Sequence, residues 1–288
     1  WRMDFIMKTL RYRDGDSVKP GILDQDGVIR DASSLVHDWD SSTITVQNLE
    51  SIKSMDLSTL PSADKVDSIA PCVCKKTMGK FICIGLNYSD HAAETGMQVP
   101  PEPIMFFKAT SAVVGPNDDV LIPKNSTKSD WEVELGIIIG KEARYISEEE
   151  SQDHIAGYCV VNDLSERAFQ LERSGQWVKG KSCDTFGPIG PYLVTKDEVA
   201  DPQNLNLWLE VNGKRMQNGS TKTMVYGVNY LVSYISQFMS LQPGDLISTG
   251  TPPGVGMGQK PQIFLQEGDI MELGVEGLGS QKQKTISA

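Results

Sequence analysis

The chain has 288 residues, a formal net charge of −11 and an isoelectric point near 4.8. That acidic balance argues against non-specific binding to nucleic acid or to an anionic membrane, since both need a basic surface. Apolar runs fall short of the ~18 residues a membrane-spanning helix needs, and the N-terminal stretch lacks the apolar core of a signal peptide. The expectation is a cytoplasmic protein with one or two domains. The 5 cysteines, Cys72, Cys74, Cys83, Cys159 and Cys183, are odd in number. Cys72 and Cys74 lack the usual zinc or redox spacing, so free thiols in a reducing compartment are expected. Trp1 is an unusual first residue; Met3 or Met7 is the expected native start, with the leading residues a processing or expression remnant.

Residues 8–12, 20–23 and 28–31 read as short strands, with Asp14-Gly15 and Asp26-Gly27 as tight turns between them. Residues 46–55 read as a short helix. Residues 56–79, rich in Ser, Asp, Lys and Pro, are the expected linker after a small β-rich module. The division expected is a module over 1–70 and a larger domain over 71–288.

The larger part opens with a strand over 80–85, followed by NYSDHAAETG. Ser89 or Asp90 can cap a short helix there, and Gly96 can end it. His91 and Glu94 then share one side of a single turn. A short helix between a strand and the Pro-rich run at Pro100, Pro101 and Pro103 can move as a lid. The plainer alternative is a solvated turn with an incidental ion pair. Residues 104–109 and 120–123 read as strands, the first carrying Lys108.

Residues 130–140, DWEVELGIIIG, read as a strand in which Glu132 and Glu134 interrupt an apolar run. At i and i+2 both acids project to one face, while Val133, Leu135 and Ile137 project to the other. Two convergent carboxylates repel unless a cation lies between them, and they suit a hard divalent ion such as Mg²⁺ or Mn²⁺. The alternative is a half-exposed strand with its acids in water. Residues 155–163, IAGYCVVND, form another apolar strand ending in Asp163, on the parity of Ile155 and Val161. Asp163 is either a third oxygen ligand or the N-cap of a helix over 164–173, or both. On that helix Arg167 and Gln170 share a face, and Gln170 shares one with Arg173 or Ser174.

Residues 180–191 form a Gly/Pro loop carrying Lys181. A strand over 205–211 runs into an Asn212-Gly213 hairpin turn. A helix over 227–240 points Leu231, Tyr234, Ile235 and Phe238 at the core. LQPGDLI and LQEGDIM echo one another as turn-then-strand phrases. Between them, STGTPPGVGMG has the glycines of a nucleotide loop without the order, so a rigid wall of a small-molecule site is expected. A GxSxG elbow and an HExxH motif are both absent.

These phrases, in order GLNYSDH, WEVELGIIIG, VVNDLSERAFQ, GKSCDTFGPIGP, VNG and STGTPPGVG, resemble the fumarylacetoacetate hydrolase family from about Lys80 to the C-terminus. The resemblance implies an α+β fold: a mixed β-sandwich roll of the fumarylacetoacetase C-terminal type with flanking helices, often assembled as a homodimer or dimer of dimers. Residues 7–70 are similar to the small N-terminal module of many members. It implies Glu132, Glu134 and Asp163 as metal ligands for Mg²⁺ or Mn²⁺, and Lys181 as a catalytic and substrate-binding lysine. His91 and Glu94 match the lid dyad of the hydrolytic members. Arg167, Gln170 and Thr251 match substrate-contacting positions. Some members carry a further acid where this chain has Asn87, so three protein ligands are expected.

The implied reaction is cleavage of a 2,4-diketo acid to pyruvate and a second acid. The phrases most resemble bacterial sugar-acid members acting on 2,4-diketo-3-deoxy-fuconate or -rhamnonate. Rivals within the family are an oxaloacetate-type decarboxylase, a ureidoglycolate lyase, and a hydratase or isomerase of 2-oxo acids. From another class, a non-catalytic metal-stabilised binding protein would not need polar groups placed in apolar strands.

Overall fold

The computed structural model describes residues 7–96 and 98–288. The expectations about Trp1 and Met3 fall outside these residues. Two sheets dominate. The larger has ten strands, in the order Ile29–Asp31, Ser17–Leu23, Lys8–Asp14, Leu193–Thr195, Ile155–Asn162, Val133–Ile139, Leu246–Ser248, Phe81–Gly85, Ile104–Phe107. Its tenth strand, Ser68–Ala70, pairs with Lys8–Asp14. The second sheet has five strands, in the order Lys214–Ser220, Asn206–Val211, Ile270–Val275, Gly279–Ser287, Val120–Ile122. Most pairs are antiparallel, but Leu246–Ser248 runs parallel to Phe81–Gly85, and Gly279–Ser287 parallel to Val120–Ile122. Short helices flank the sheets, so the fold is α+β with mixed sheets.

Alternation in the central strand explains two cores. Val133, Leu135, Ile137 and Ile139 pack between the sheets with Leu207, Leu273 and Ile235. Ile138 points the other way, into a cluster with Cys159, Val161, Leu246, Trp39 and Ile44. Every residue of Val133–Ile139 is buried, so the half-exposed strand is not what forms. The N-terminal residues share this second cluster, and Lys8↔Val194 pairing places their strands in the same sheet. The cysteines are all free.

The expected elements form with differences that have physical causes. The Asp130–Gly140 run divides into Ser129–Asp130 and Val133–Ile139, because Ser129–Asp130 pairs instead with Ser165–Glu166. A register shift at Ile138/Ile139 breaks the parity of the partner strand, so Ile155 faces the opposite cluster from Val161. The helix expected over 164–173 is Arg167–Leu171, capped by Glu166, whose side chain accepts from Ala168 N. Asp163 is therefore not its cap. The helix expected over 227–240 is Val228–Ser236. Leu231 and Ile235 are buried as expected, but Phe238 is 59% exposed. Tyr234 is half-buried against the core as expected; Tyr226, Tyr230 and Tyr234 stack in a row, and Phe238 meets Tyr234 edge to face. The echoed GD phrases adopt one turn twice. Asp245 accepts from Gln242 N at 2.8 Å and Asp269 from Gln266 N at 2.7 Å, each after a glycine at φ 90°.

Candidate active site

Antiparallel pairing of Val133 with Asn162 and of Glu134 with Val161 sets the acidic centre. Glu132 precedes one strand and Asp163 follows the other, joined by an Asp163 N to Glu132 O bond of 2.9 Å. Glu132, Glu134 and Asp163 are buried and each offers an oxygen within 4.8 Å of the others. Cations surround them. Lys181 Nζ lies 3.0 Å from Glu132 Oε2 and 2.9 Å from Asp163 Oδ2. Arg167 Nη2 lies 2.7 Å from Glu132 Oε1. Lys108 Nζ, fully buried, lies 2.7 Å from Asp163 Oδ1 and donates to Leu164 O at 3.0 Å. Glu134 is held differently, by Ser248 Oγ at 2.5 Å and Gly250 N at 2.9 Å.

This asymmetry separates the two glutamates. Burial works against the charge on Glu132, but Lys181 and Arg167 prevail and hold its carboxyl well below the usual range. Burial, then Asp163 and Glu132, push Glu134 well above that range. Burial also opposes the charge on Lys181, yet Asp163 and Glu132 raise it above the ordinary lysine value. Three hard oxygen donors, one of which resists ionisation until a cation arrives, fit a divalent metal ion.

The lid segment forms the helix Ser89–Thr95 and ends at Gly96 in the left-handed conformation. Tyr88, not Ser89 or Asp90, occupies the cap position; Asp90 Oδ1 instead accepts from His91 N at 3.0 Å. One turn brings His91 Nδ1 within 3.1 Å of Glu94 Oε2. Glu94 also accepts from Gly254 N at 3.1 Å, which seats the lid helix on the Gly/Pro wall. Lys181 is not in a loop: it ends the helix Val178–Lys181. The preceding glycine is needed there, since a Cβ on Gly180 would fall 2.3 Å from Glu166 O.

A cavity of about 760 Å³ opens over this centre. Its lining takes in His91, Glu94, Glu132, Glu134, Arg167 and Gln170, together with Lys181 and Thr251. Asp163 is the one expected site residue that does not line it. Gln170 Oε1 accepts from Arg167 Nη1 at 3.1 Å. The Thr251 hydroxyl donates to Val133 O at 2.9 Å and accepts from Gln217 Nε2 at 2.8 Å, so it braces the wall. One side of the cavity is apolar: Phe106 and Trp177 meet edge to face at 5.3 Å, and Trp177 lies against Gly85. Lys181 Nζ sits 5.1 Å from the Phe106 ring centre.

Residues 80–286 match the family described as fumarylacetoacetate hydrolase C-terminal. The chain belongs to the fumarylacetoacetate hydrolase family. Within that family, a Burkholderia lata protein provisionally named a hydrolase is 56% identical over 283 residues, 98% of this chain and 100% of that protein. A solved fumarylacetoacetate hydrolase from Exiguobacterium antarcticum superposes with a TM-score of 0.87 at 33% identity, covering 98% of this chain and 100% of that one. A Mycobacterium abscessus structure, provisionally described as a 2-hydroxyhepta-2,4-diene-1,7-dioate isomerase, gives 0.83 at 28% identity over 98% and 99% of the two chains. The protein is thus an enzyme of the fumarylacetoacetate hydrolase family, whose fold serves proteins named for hydrolysis and for isomerisation.

Three residues of the site went unassigned in the sequence. Lys108 stood without a task, and its place against Asp163 needed the fold to be seen. Ser248 gives no local signal. Asp130 did have one: it lies on the same alternation as Glu132 and Glu134. Arg173 and Asp184 are exposed, and neither lines the cavity; Arg173 stacks on Phe169 at 5.0 Å.

Proposed function

We propose that the protein is a metal-dependent hydrolase that cleaves the C3–C4 bond of a 2,4-diketo acid, giving pyruvate and a second acid. The observation that carries this reading is the His91–Glu94 pair lining the same cavity as Glu132, Glu134 and Lys181, with Asp163 buried directly behind them. A divalent ion such as Mg²⁺ or Mn²⁺, held by Glu132, Glu134 and Asp163, would supply a Lewis acid for the substrate's carboxylate and 2-keto oxygens. The Glu94 carboxylate can only accept, so it keeps the histidine proton on Nδ1 and the lone pair on Nε2. His91 Nε2 then takes a proton from water as the oxygen adds to C4. Collapse of the adduct breaks C3–C4, leaves the second acid, and places the electron pair in a pyruvate enolate. The proton on Nε2 passes to C3, which completes pyruvate and restores the histidine.

Lys181 has three N–H groups, two of them turned to Glu132 and Asp163. The third would meet the enolate oxygen, a contact that strengthens as charge develops there. Arg167 and Gln170 would hold the substrate's polar groups at the cavity's inner end. The substrate we favour is 2,4-diketo-3-deoxy-L-fuconate or -rhamnonate, giving pyruvate and lactate, on the strength of the sequence resemblance. The Phe106–Trp177 side also suits less polar acyl tails, so acetylpyruvate and longer acylpyruvates belong in the same panel. A homodimer is proposed from the family resemblance as well.

The test is pyruvate release from this panel with added Mg²⁺ or Mn²⁺, followed through a coupled reduction. The intact enzyme should release pyruvate, and His91→Ala should lose it by about 10²–10⁴-fold, the range of a positioned acid–base group. The isomerase description of a solved relative supports a second reading, in which the same acids serve a reaction without water attack. Absence of pyruvate, with isomerisation of a 2-oxo dienoate or decarboxylation of oxaloacetate that survives in His91→Ala, would replace hydrolysis with that reading.

A further inference from the structure

Asp130 is fully buried two residues before Glu132 and belongs to neither the triad nor the dyad. Its carboxylate is saturated by four N–H donors. Oδ1 accepts from Gly256 N at 2.6 Å and Trp131 N at 2.8 Å. Oδ2 accepts from Met257 N and from Arg167 Nε, each at 2.9 Å. The same guanidinium reaches Glu132 through Nη2 and Gln170 through Nη1, so all three of its nitrogens are held. The wall that Asp130 grips is gripped from its other side by Glu94, through Gly254 N. Trp131 Nε1 adds a bond to Gly254 O at 3.0 Å. There is little slack: a Cβ on Gly256 would meet Ile263 O at 1.9 Å, and one on Gly258 would meet Glu94 at 2.9 Å.

We infer that Asp130 is a positioning residue of the active site, aiming the Arg167 guanidinium and holding the 254–257 wall so that lid, wall and Glu132 share one hydrogen-bond set. The inference rests on the cavity being the place where a 2,4-diketo acid binds. An arginine side chain has many rotamers, and pinning its Nε as well as both Nη atoms fixes the plane of the fork. A fork misplaced by about 1 Å can cost about 10²-fold in rate. Asparagine has the shape of aspartate, but its amide N–H groups would face two of the donors that the carboxylate now satisfies.

The experiment is a double-mutant cycle on kcat/KM for acetylpyruvate, with Asp130→Asn, Arg167→Lys and both. If Asp130 acts through Arg167, each single change lowers kcat/KM by about 10²-fold, and the double variant lies within about threefold of Arg167→Lys alone. A residue that only supports the fold gives losses that multiply, or leaves turnover per folded molecule unchanged; either result overturns the inference. The same cycle is run on oxalate binding in the presence of Mn²⁺ by calorimetry, which needs no turnover. Failure of the unmodified enzyme to release pyruvate therefore sinks the hydrolase reading alone, while the oxalate cycle still decides Asp130. Should Asp130→Asn not fold, Asp130→Glu takes its place, keeping the charge and moving the carboxylate by one methylene; the same non-multiplicative result is expected.

Discussion

Glu134 is where protons and metal compete for one side chain. Burial first, then Asp163 and Glu132, hold its pKa well above 4.5, so without metal the folded protein keeps a proton that the unfolded chain releases. The sign follows from proton counting. From pH 4.5 upward through the raised value the folded state binds more protons, so its metal-free stability falls as pH rises. A divalent ion needs the ionised carboxylate and drives that proton off. Mn²⁺ affinity should therefore rise by about tenfold per pH unit while Glu134 is protonated in the free site. Calorimetry over a pH series upward from 4.5, in buffers of different ionisation heat, would show the proton release; an affinity flat with pH would mean that Glu134 enters ionised. Lys181 presents the complementary case. Lys181→Met leaves Glu132 and Asp163 without their shared cation, so metal-free protein should lose about 3–5 kcal/mol of stability. Added Mn²⁺ should recover much of that stability but not turnover, which should stay about 10²–10³-fold down. Recovery of turnover together with stability would remove Lys181 from the chemistry.

Both flanks of the lid segment are tied to Tyr226. Asn87 Nδ2 donates to Tyr226 O at 3.0 Å and Thr249 O at 2.8 Å, while its Oδ1 accepts from Tyr226 N at 2.9 Å. Beyond the helix, the Tyr226 hydroxyl donates to Pro100 O at 2.6 Å. Both ends of the His91–Glu94 segment therefore meet Tyr226, and Asn87 serves as a clamp. Asn87→Asp would set a carboxylate against two carbonyls, at a loss of about 1–3 kcal/mol. Faster amide exchange over 88–96 and a lower melting temperature are expected; unchanged exchange would show that the clamp does not restrain the lid. The dyad spacing and the paired acids were legible in the sequence because each depends on one period, 3.6 or 2, within a few residues. Lys181 was misplaced because a four-residue helix leaves no period to read. The helix Val228–Ser236 misled in the opposite way. Phe238, four residues after Tyr234, imitates the next step of the core stripe, yet it lies beyond the helix's end and is exposed, while Tyr234 does pack against the core. Asn87, Lys108 and Asp130 act on partners distant in sequence, and no local pattern reports such contacts.

At the scale of the molecule, turns and composition suggested two parts but could not show how they join. In the structure Lys8–Asp14 pairs with Leu193–Thr195, extending the sheet that carries Glu134. Met7, Ile22, Trp39 and Ile44 bury the same cluster that holds Val73, Ile189, Leu193, Leu246 and Ile138. Ile138 lies four residues after Glu134 on one strand, so the N-terminal part backs the strand that presents the acidic centre. A chain beginning at residue 71 would leave a sheet edge unpaired and several large apolar side chains without partners. Each such side chain is worth about 1.5–3 kcal/mol, and three or four of them match the whole ~5–15 kcal/mol margin of an ordinary domain. The shortened chain should therefore be poorly soluble, bind a hydrophobic dye and lack a cooperative melting transition. A monodisperse product that melts cooperatively and binds Mn²⁺ as the full chain does would show that residues 71–288 stand alone. The strand bearing the acids would then draw its rigidity from the cluster between the two sheets, where Val133, Leu135 and Ile137 pack.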